Sequence, residues 1–471
     1  VGLPGRFCCG RIMISETSSI MILEASSIVI AAARGQPKGL FEKGANPELS
    51  TVSGSFLSDS LPYMKNYMKY DEAVKLLTED AVGLKSALTR YYGQISIRMT
   101  EDTYLSTGAI KQFKDISEGD LPICDINTGD VGAIFNSISN VNIVLFAFTP
   151  IASEISSEID FLESAIDDLA MIAGTGIRVV EDTSPENVIA PLSDCGVCLI
   201  KGRGILVAAP NMKKAVAGAL IAEKSCEAYY YGKRIGGVKP FSKEVALDIR
   251  SRFLSKYVDL NQESHVDYIG FDENSFEHRA ALVDGGKQMA ADELTCGSWG
   301  NFSVRLDDEN MLITPSSMDF QDVKIEDIVK VNINTLEYGD QRVPSGESPL
   351  HARMYRELPD CNAIIHTHSS ACSVFAACEA GFAMMDKQLR QIIGDVKVVP
   401  YHPAGSEELS WSVIIAMENT HALILAHHGA IFYGPNRDIV YQVAKAVEQM
   451  AQNLLKYGEK MDEADGAGDE D

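Results

Sequence analysis

The chain has 471 residues, too many for one ordinary hydrophobic core, and so reads as two or three domains. Hydrophobic residues make up 46% and charged residues 23%, a soluble globular composition, while a formal charge of −25 excludes the basic surface that nucleic acid requires. Ten cysteines without a framework fit a reducing cytoplasm better than a secreted scaffold, and no segment is apolar for long enough to span a bilayer.

Residues 1–63 hold neither helical nor strand periodicity for long. Their apolar run IMISETSSIMILEASSIVIAAA (12–33) is broken by Glu16 and Glu24, which makes a poor signal peptide. The segment reads as a disordered or non-native leader. After it the chain repeats itself. YGQISIRMTEDTYL (92–105) matches WGNFSVRLDDENML (299–312), NIVLFAFTP (142–150) matches NAIIHTHSS (362–370), and KGRGILVAAPN (201–211) matches AHHGAIFYGPN (426–436). The offsets are 207, 220 and 225, growing as small loop insertions in the second copy would make them. One repeat is expected at 64–237 and another at 275–460, joined by a linker and helix at 238–274.

Within each repeat, β-rich apolar runs alternate with helical ones, which predicts helices packed on a sheet. MKKAVAGALIAEKSCEAYYYG (212–232) closes the first copy as a helix, and the spacing of Ile439, Val443, Val447, Met450 and Leu454 closes the second, each after Pro-Asn. SKEVALDIRSRFLSKYV (242–258) is an amphipathic connecting helix. The pair Cys195 and Cys198 sits in an apolar stretch and reads as buried strand thiols. The last residues, 461–471, belong to an acidic run (EKMDEADGAGDED) expected to be a disordered tail.

The chemistry sits in the second copy. On a strand, His366 and His368 point to one face, about 7 Å apart along the chain, a spacing from which two imidazoles can converge on zinc. A second apolar strand ends in His427 and His428, of which only one can join the pair. In PSGESPLHARMYRELPD (344–360), Glu347, His351 and Tyr355 share a helix face. Glu347 has two readings here: a charge complementing the helix N-terminus, or a carboxylate returning to the metal.

GSWGNFSVR (297–305), MLITPSS (311–317), PSGE followed by His351 and Tyr355, NAIIHTHS (362–369), IIGDVKVVPY (392–401) and LAHHG (425–429) together resemble the class II aldolase/adducin family, which includes fuculose-phosphate aldolase and ribulose-phosphate 4-epimerase. The resemblance implies two tandem three-layer α/β/α domains, an α/β fold class, with one zinc (or another divalent transition metal) held by His366, His368 and His428. It implies Glu347 as the acid/base residue, and Asn301, Ser316, Ser317, Ser345 and Gly346 around a substrate phosphate. The implied activity is that of an aldehyde-lyase cleaving or forming a C–C bond in a sugar phosphate or related hydroxy-carbonyl compound through an enediolate. The alternatives are a same-fold epimerase, dehydratase or decarboxylase, or a non-catalytic adducin-like assembly module. It also implies a homo-oligomer, two chains forming a pseudo-tetrameric ring, while cysteine usage, charge and hydropathy point to the cytoplasm and to neither nucleic acid nor membrane as partner.

The first copy resembles the same domain in degraded form. Phe146 and Phe148 stand where the second has His366 and His368, Arg203 where it has His428, and Gln94 where it has Asn301. Phenylalanine suits a buried strand but cannot ligate a metal. The second copy departs from the family too: Ser317 replaces a usual glycine, Gly346 a usual serine, and Trp299 a residue that is often small. MMDKQLRQIIG (384–394) lacks the aldolase's catalytic tyrosine, and no aspartate falls cleanly at the epimerase's position.

Overall fold

The computed structural model describes residues 22–23, 67–79, 88, 91–260, 273–295, 298–339 and 342–466. The expected leader lies outside these, apart from Ile22–Leu23, which pairs antiparallel with Gly381–Phe382.

Two sheets carry the molecule, one of nine strands and one of seven, and seven strands of the first correspond to the second in order. The first runs Ile123–Asp125, Thr103–Ser106, Tyr92–Arg98, Ile143–Phe148, Gly204–Ala209, Val197–Ile200, Gly176–Val180, with Phe161–Glu163 at its edge. The second runs Val329–Asn332, Asn310–Ile313, Asn301–Arg305, Ala363–Thr367, Gly429–Gly434, Ala422–Leu425, Lys397–Val399. Register confirms the correspondence. Phe146 pairs with Gln94 on one side and Leu206 on the other, while His366 pairs with Asn301 and Ile431. Those pairs reproduce the offsets 207, 220 and 225 of the sequence motifs.

Both sheets are covered on two faces, as near-continuous apolar strands require. Ile143, Leu145 and Ala147 join one core cluster and Val144 and Phe146 the other; Ala363 and Ile365 are likewise separated from Ile364. Each buried Leu, Ile or Phe contributes about 1.5–3 kcal/mol by leaving water. The α/β/α layering expected of each repeat is present. Both closing helices begin at the same device: Asn211 Oδ1 accepts from Lys214 N at 3.0 Å and Asn436 Oδ1 from Ile439 N at 2.9 Å. Helix Met212–Gly232 coincides with the run read from the sequence. Its counterpart Arg437–Gly466 continues six residues into the segment expected to be a disordered tail, because extending an existing helix needs no new nucleus.

Contacts between the repeats place the site. Helix Asp167–Ala173 of the first repeat packs on the connecting helix Lys243–Leu260 and reaches the second repeat, where Asp167 N donates to His427 O at 2.7 Å. Among the described residues no helix is long and apolar enough to cross a membrane, and seven cysteines are free, Cys195 and Cys198 buried among them.

Candidate active site

Strand Ala363–Thr367 projects His366 to the face covered by helix Ser348–Glu357. His368 follows just beyond the strand's end. The hairpin partner must approach closely here: a Cβ on Gly429 would lie 2.1 Å from Thr367 O, so only glycine fits. His428 arrives by a route the sequence did not indicate. The strand ends at Leu425 and the next begins at Gly429, so the double histidine occupies a turn, with His427 in the left-handed region at φ 61°. That turn sends the two side chains apart. His427 bonds Ala165 O at 2.9 Å and Glu379 Oε1 at 3.0 Å, away from the site.

The three imidazoles converge. Nε2 atoms of His366 and His368 are 2.8 Å apart, and one nitrogen from each of the three rings falls in a set whose members all lie within 4.8 Å of one another. Every Nδ1 faces an acceptor: Ala430 O at 3.0 Å for His366, Asp168 Oδ1 at 2.9 Å for His368, and Asp167 Oδ2 for His428. In the neutral rings those acceptors place the hydrogen on Nδ1 and leave Nε2 with its lone pair, the form that binds a metal. Two lone pairs facing at 2.8 Å repel unless a proton or a cation sits between them. His428 Nε2 and Glu347 Oε1 are also buried without a hydrogen bond, 3.3 Å apart. Four donors of this kind turned inward fit a divalent cation.

Glu347 is the N-cap residue of helix Ser348–Glu357, yet its side chain caps nothing. Ser345 Oγ accepts from Glu347 N at 3.3 Å, and the carboxylate turns to the site. Asn301 Nδ2 donates to Glu347 Oε2 at 2.7 Å, and His366 Nε2 lies 3.3 Å from the same oxygen. Burial alone would push this carboxyl up, but the imidazoles of His366 and His428 and the Asn301 bond hold it well below the usual carboxylate range. For His428, burial is outweighed by Asp167 and Glu347, which raise it, whereas burial lowers His366. His351 and Tyr355 do not reach the imidazoles: both bond Ser303 Oγ at 2.7 Å, and burial takes His351 down to about 4.

Two turns form the adjoining wall. Pro315 bridges Pro344, Ser316 N donates to Val343 O at 2.9 Å, and Ser345 N to Thr314 O at 3.2 Å. Side by side, the turns bring Ser316, Ser317, Ser345 and Gly346 onto a cleft of about 550 Å³ that also includes Asn301, Glu347, His368 and His428. Ser317 holds φ 59°, which explains why a glycine is usual there. The opposite wall belongs to the first repeat and the connecting helix, through Asp167, Met171, Lys213, Lys214, Arg252 and Phe253. Asp167, Asp168 and Lys224 were not singled out in the sequence. Their one signal is a pair of acids opening a helix inside an apolar stretch, which reads as an ordinary complement to the helix N-terminus.

At the matching place in the first repeat the imidazoles are gone. Phe146, 8% exposed, borders a cavity of about 260 Å³, and Arg203 lies over its ring, 5.6 Å from the centroid. Among the described residues the groups able to hold a metal are His366, His368 and His428, and the overlapping Asp167, Asp168 and His368.

The sequence profile of the Class II Aldolase and Adducin N-terminal domain matches twice, at residues 76–230 and 280–455. The chain is 34% identical over 191 residues to the L-fuculose phosphate aldolase of Haemophilus influenzae, covering 39% of this chain and 84% of that one. It is 33% identical over 179 residues to the 5-methylthioribulose-1-phosphate/5-deoxyribulose-1-phosphate aldolase of Rhodospirillum rubrum, covering 38% and 80%. A solved L-fuculose 1-phosphate aldolase aligns with 40% of this chain and 90% of its own, at 30% identity and a TM-score of 0.38. The chain therefore belongs to the class II aldolase and adducin family, as a tandem pair of its domains, and is an enzyme of the class II aldolase type.

Proposed function

We propose that this protein is a metal-dependent aldehyde-lyase that cleaves, or forms, a C–C bond in a sugar phosphate. The observation that carries the reading is the inward convergence of three buried imidazoles and one carboxylate beside a serine-lined cleft. His366, His368 and His428 hold one zinc, or another divalent transition metal, per chain. Bound there, such a metal polarises the carbonyl and hydroxyl oxygens of a sugar-like substrate. Glu347 moves the proton at the carbon next to the carbonyl, its carboxylate held by the bond from Asn301. Asn301, Ser316, Ser317, Ser345 and the backbone at Gly346 receive the phosphate as hydrogen-bond donors. The cytoplasm is the compartment that suits its free cysteines.

The test is a panel of ketose 1-phosphates offered to metal-replete protein, scored for released aldehyde. Aldehyde formation that stops on chelation and returns with zinc is expected. Turnover without aldehyde, to an epimer or a dehydrated or decarboxylated product, reassigns the reaction. No turnover and no bound metal overturns the metal-dependent reading.

Two chains close a ring of four domains. The contact within one chain is heterologous: helix Asp167–Ala173 of one repeat lies against the site of the other. The counterpart surfaces remain uncovered, with Ile392 60% and Met385 42% exposed on the second repeat, and Tyr92 50% and Phe148 39% exposed on the first. Repeating the same contact between chains covers both sets and closes the assembly. Light scattering at micromolar concentration should give the mass of two chains; the mass of one rejects the ring.

A further inference from the structure

We infer that the first repeat forms half of the second repeat's metal site, with Asp167 and Asp168 as positioning residues for His428 and His368. This rests on the metal-binding reading above. Asp167 Oδ2 accepts from His428 Nδ1, and Asp168 Oδ1 accepts from His368 Nδ1 at 2.9 Å, across about 260 and 200 residues of sequence. Both aspartates are buried, where a carboxylate is costly unless it is matched. Asp168 is matched twice. Lys224, from helix Met212–Gly232, binds its other oxygen and donates to His368 O at 3.2 Å, so the clamp grips the histidine at ring and backbone.

A complement to the helix N-terminus explains acids at these positions but not where their oxygens go. The carboxylates point to imidazoles, and their arrangement is that of the outer partners that orient metal-ligating histidines and raise their basicity. The repeats themselves supply a control. Helices Asp167–Ala173 and Lys387–Ile393 are each seven residues long, and each ends at a glycine, Gly174 and Gly394. On that alignment Lys387 and Gln388 occupy the positions of Asp167 and Asp168, and both are exposed. The copy that lacks imidazoles has the aspartates, and the copy that has imidazoles lacks them. Each repeat has kept the half of the site that is used within the chain. At the other half the matching positions hold Phe146, Arg203, Lys387 and Gln388 instead.

The test uses the full-length chain, with Asp167→Asn alone and Asp168→Asn combined with Lys224→Met, the second pair chosen so that no buried ammonium is left unmatched. Zinc affinity is read by competition with a chromophoric chelator, ligand geometry by the visible absorption of the cobalt(II)-loaded protein, and folding by thermal melting of metal-free protein. Each variant should bind zinc about 10–100-fold more weakly, with an altered cobalt spectrum and metal-free melting at or above that of wild type. If either variant fails to fold without metal, the other carries the measurement. Binding within threefold of wild type together with superimposable cobalt spectra overturns the inference alone. Wild type that takes up no metal overturns it along with the proposed function.

Discussion

The two repeats share several devices that hold the fold and differ where the chemistry is. Gly204 and Gly429 answer the same need, since a Cβ would lie 2.3 Å from Ala147 O in one and 2.1 Å from Thr367 O in the other. A buried glutamate ties the closing helix to the next one in both: Glu223 accepts from Thr149 Oγ1, and Glu448 accepts from Ser369 Oγ at 2.7 Å. Against that shared frame, Phe146 and Arg203 have displaced two imidazoles. The backbone scaffold and the ligand set are thus separable. Losing the ligands left the sheet intact because a phenyl ring satisfies a buried strand face as well as an imidazole does, and needs no acceptor.

The sharpest way to break this comparison is at the two helix caps that begin the helices over the sites. Glu347→Gln should lower turnover about 10²–10⁴-fold while the metal stays bound, as expected for a lost acid/base group. Thr128, the N-cap residue in the same place on the first repeat, should tolerate Thr128→Ala with turnover unchanged. Steady-state kinetics with metal content measured on the same samples checks both. Near-normal turnover in the Glu347 variant would move the proton-transfer role to another residue.

Next come the strand positions themselves. His366→Ala should strip the metal at little cost to the apo fold. Phe146→Ala should keep one metal per chain and lose about 3 kcal/mol, the low end for a buried phenylalanine because the ring already borders a cavity. Elemental analysis and urea unfolding separate the outcomes. A Phe146 variant that loses metal would show that the first repeat acts on the site through its core as well as its edge.

Much of this was legible in the sequence for a physical reason: strand alternation and helix caps are local. The H-x-H pair and the Pro-Asn helix starts depend on residues a few positions apart, and the duplication shows because each copy repeats such local motifs in the same order. Two features were not. Asp167 and Asp168 act on histidines more than 190 residues away in another repeat, and no periodicity encodes that meeting. His427 and His428 were expected to face opposite ways as strand neighbours. They do diverge, but because a left-handed residue turns the chain between two strands. Glu347 was ambiguous in sequence, since a helix N-terminus and a metal draw the same residue type.

Acid should discriminate the repeats as well. His351 is buried, 0% exposed, with Nε2 lacking a partner, and titrates at about 4 rather than 6.5. Below pH 6.5 the unfolded chain takes up a proton that the folded chain refuses, so stability falls as pH drops from 6.5 and levels off near 4. At about 1.4 kcal/mol per pKa unit the loss is about 3 kcal/mol. The first repeat has Gly132 at the matching helix position and satisfies the corresponding serine, Ser96, with Ser106 at 2.7 Å. Urea unfolding of metal-free protein across this range should therefore slope less in a His351→Gln variant. Amide exchange should open around helix Ser348–Glu357 before helix Gly129–Ser137. Identical slopes would mean that water or a neighbour accommodates the protonated ring.

The smallest effect separates the two loops after the second strand of each repeat. Ser317 holds φ 59°, a conformation that costs a residue with a Cβ roughly 1–2 kcal/mol, whereas Ile110, at the equivalent position, is not among the residues of positive φ. Ser317→Gly relieves that strain but adds freedom to the unfolded chain, which takes back roughly 0.5–1 kcal/mol, so a net gain of about 0.5 kcal/mol is expected. Ile110→Gly has no strain to relieve and should lose stability by a similar amount. The hydroxyl supplies the reason for accepting the strain. Ser316 Oγ and Ser317 Oγ are 3.4 Å apart, too far to satisfy each other well, and both line the cleft. Ser317→Gly should accordingly raise KM for a phosphorylated substrate several-fold while kcat holds. A variant that is more stable with KM unchanged would remove Ser317 from the phosphate site and leave Asn301, Ser316 and Ser345 to bind the anion.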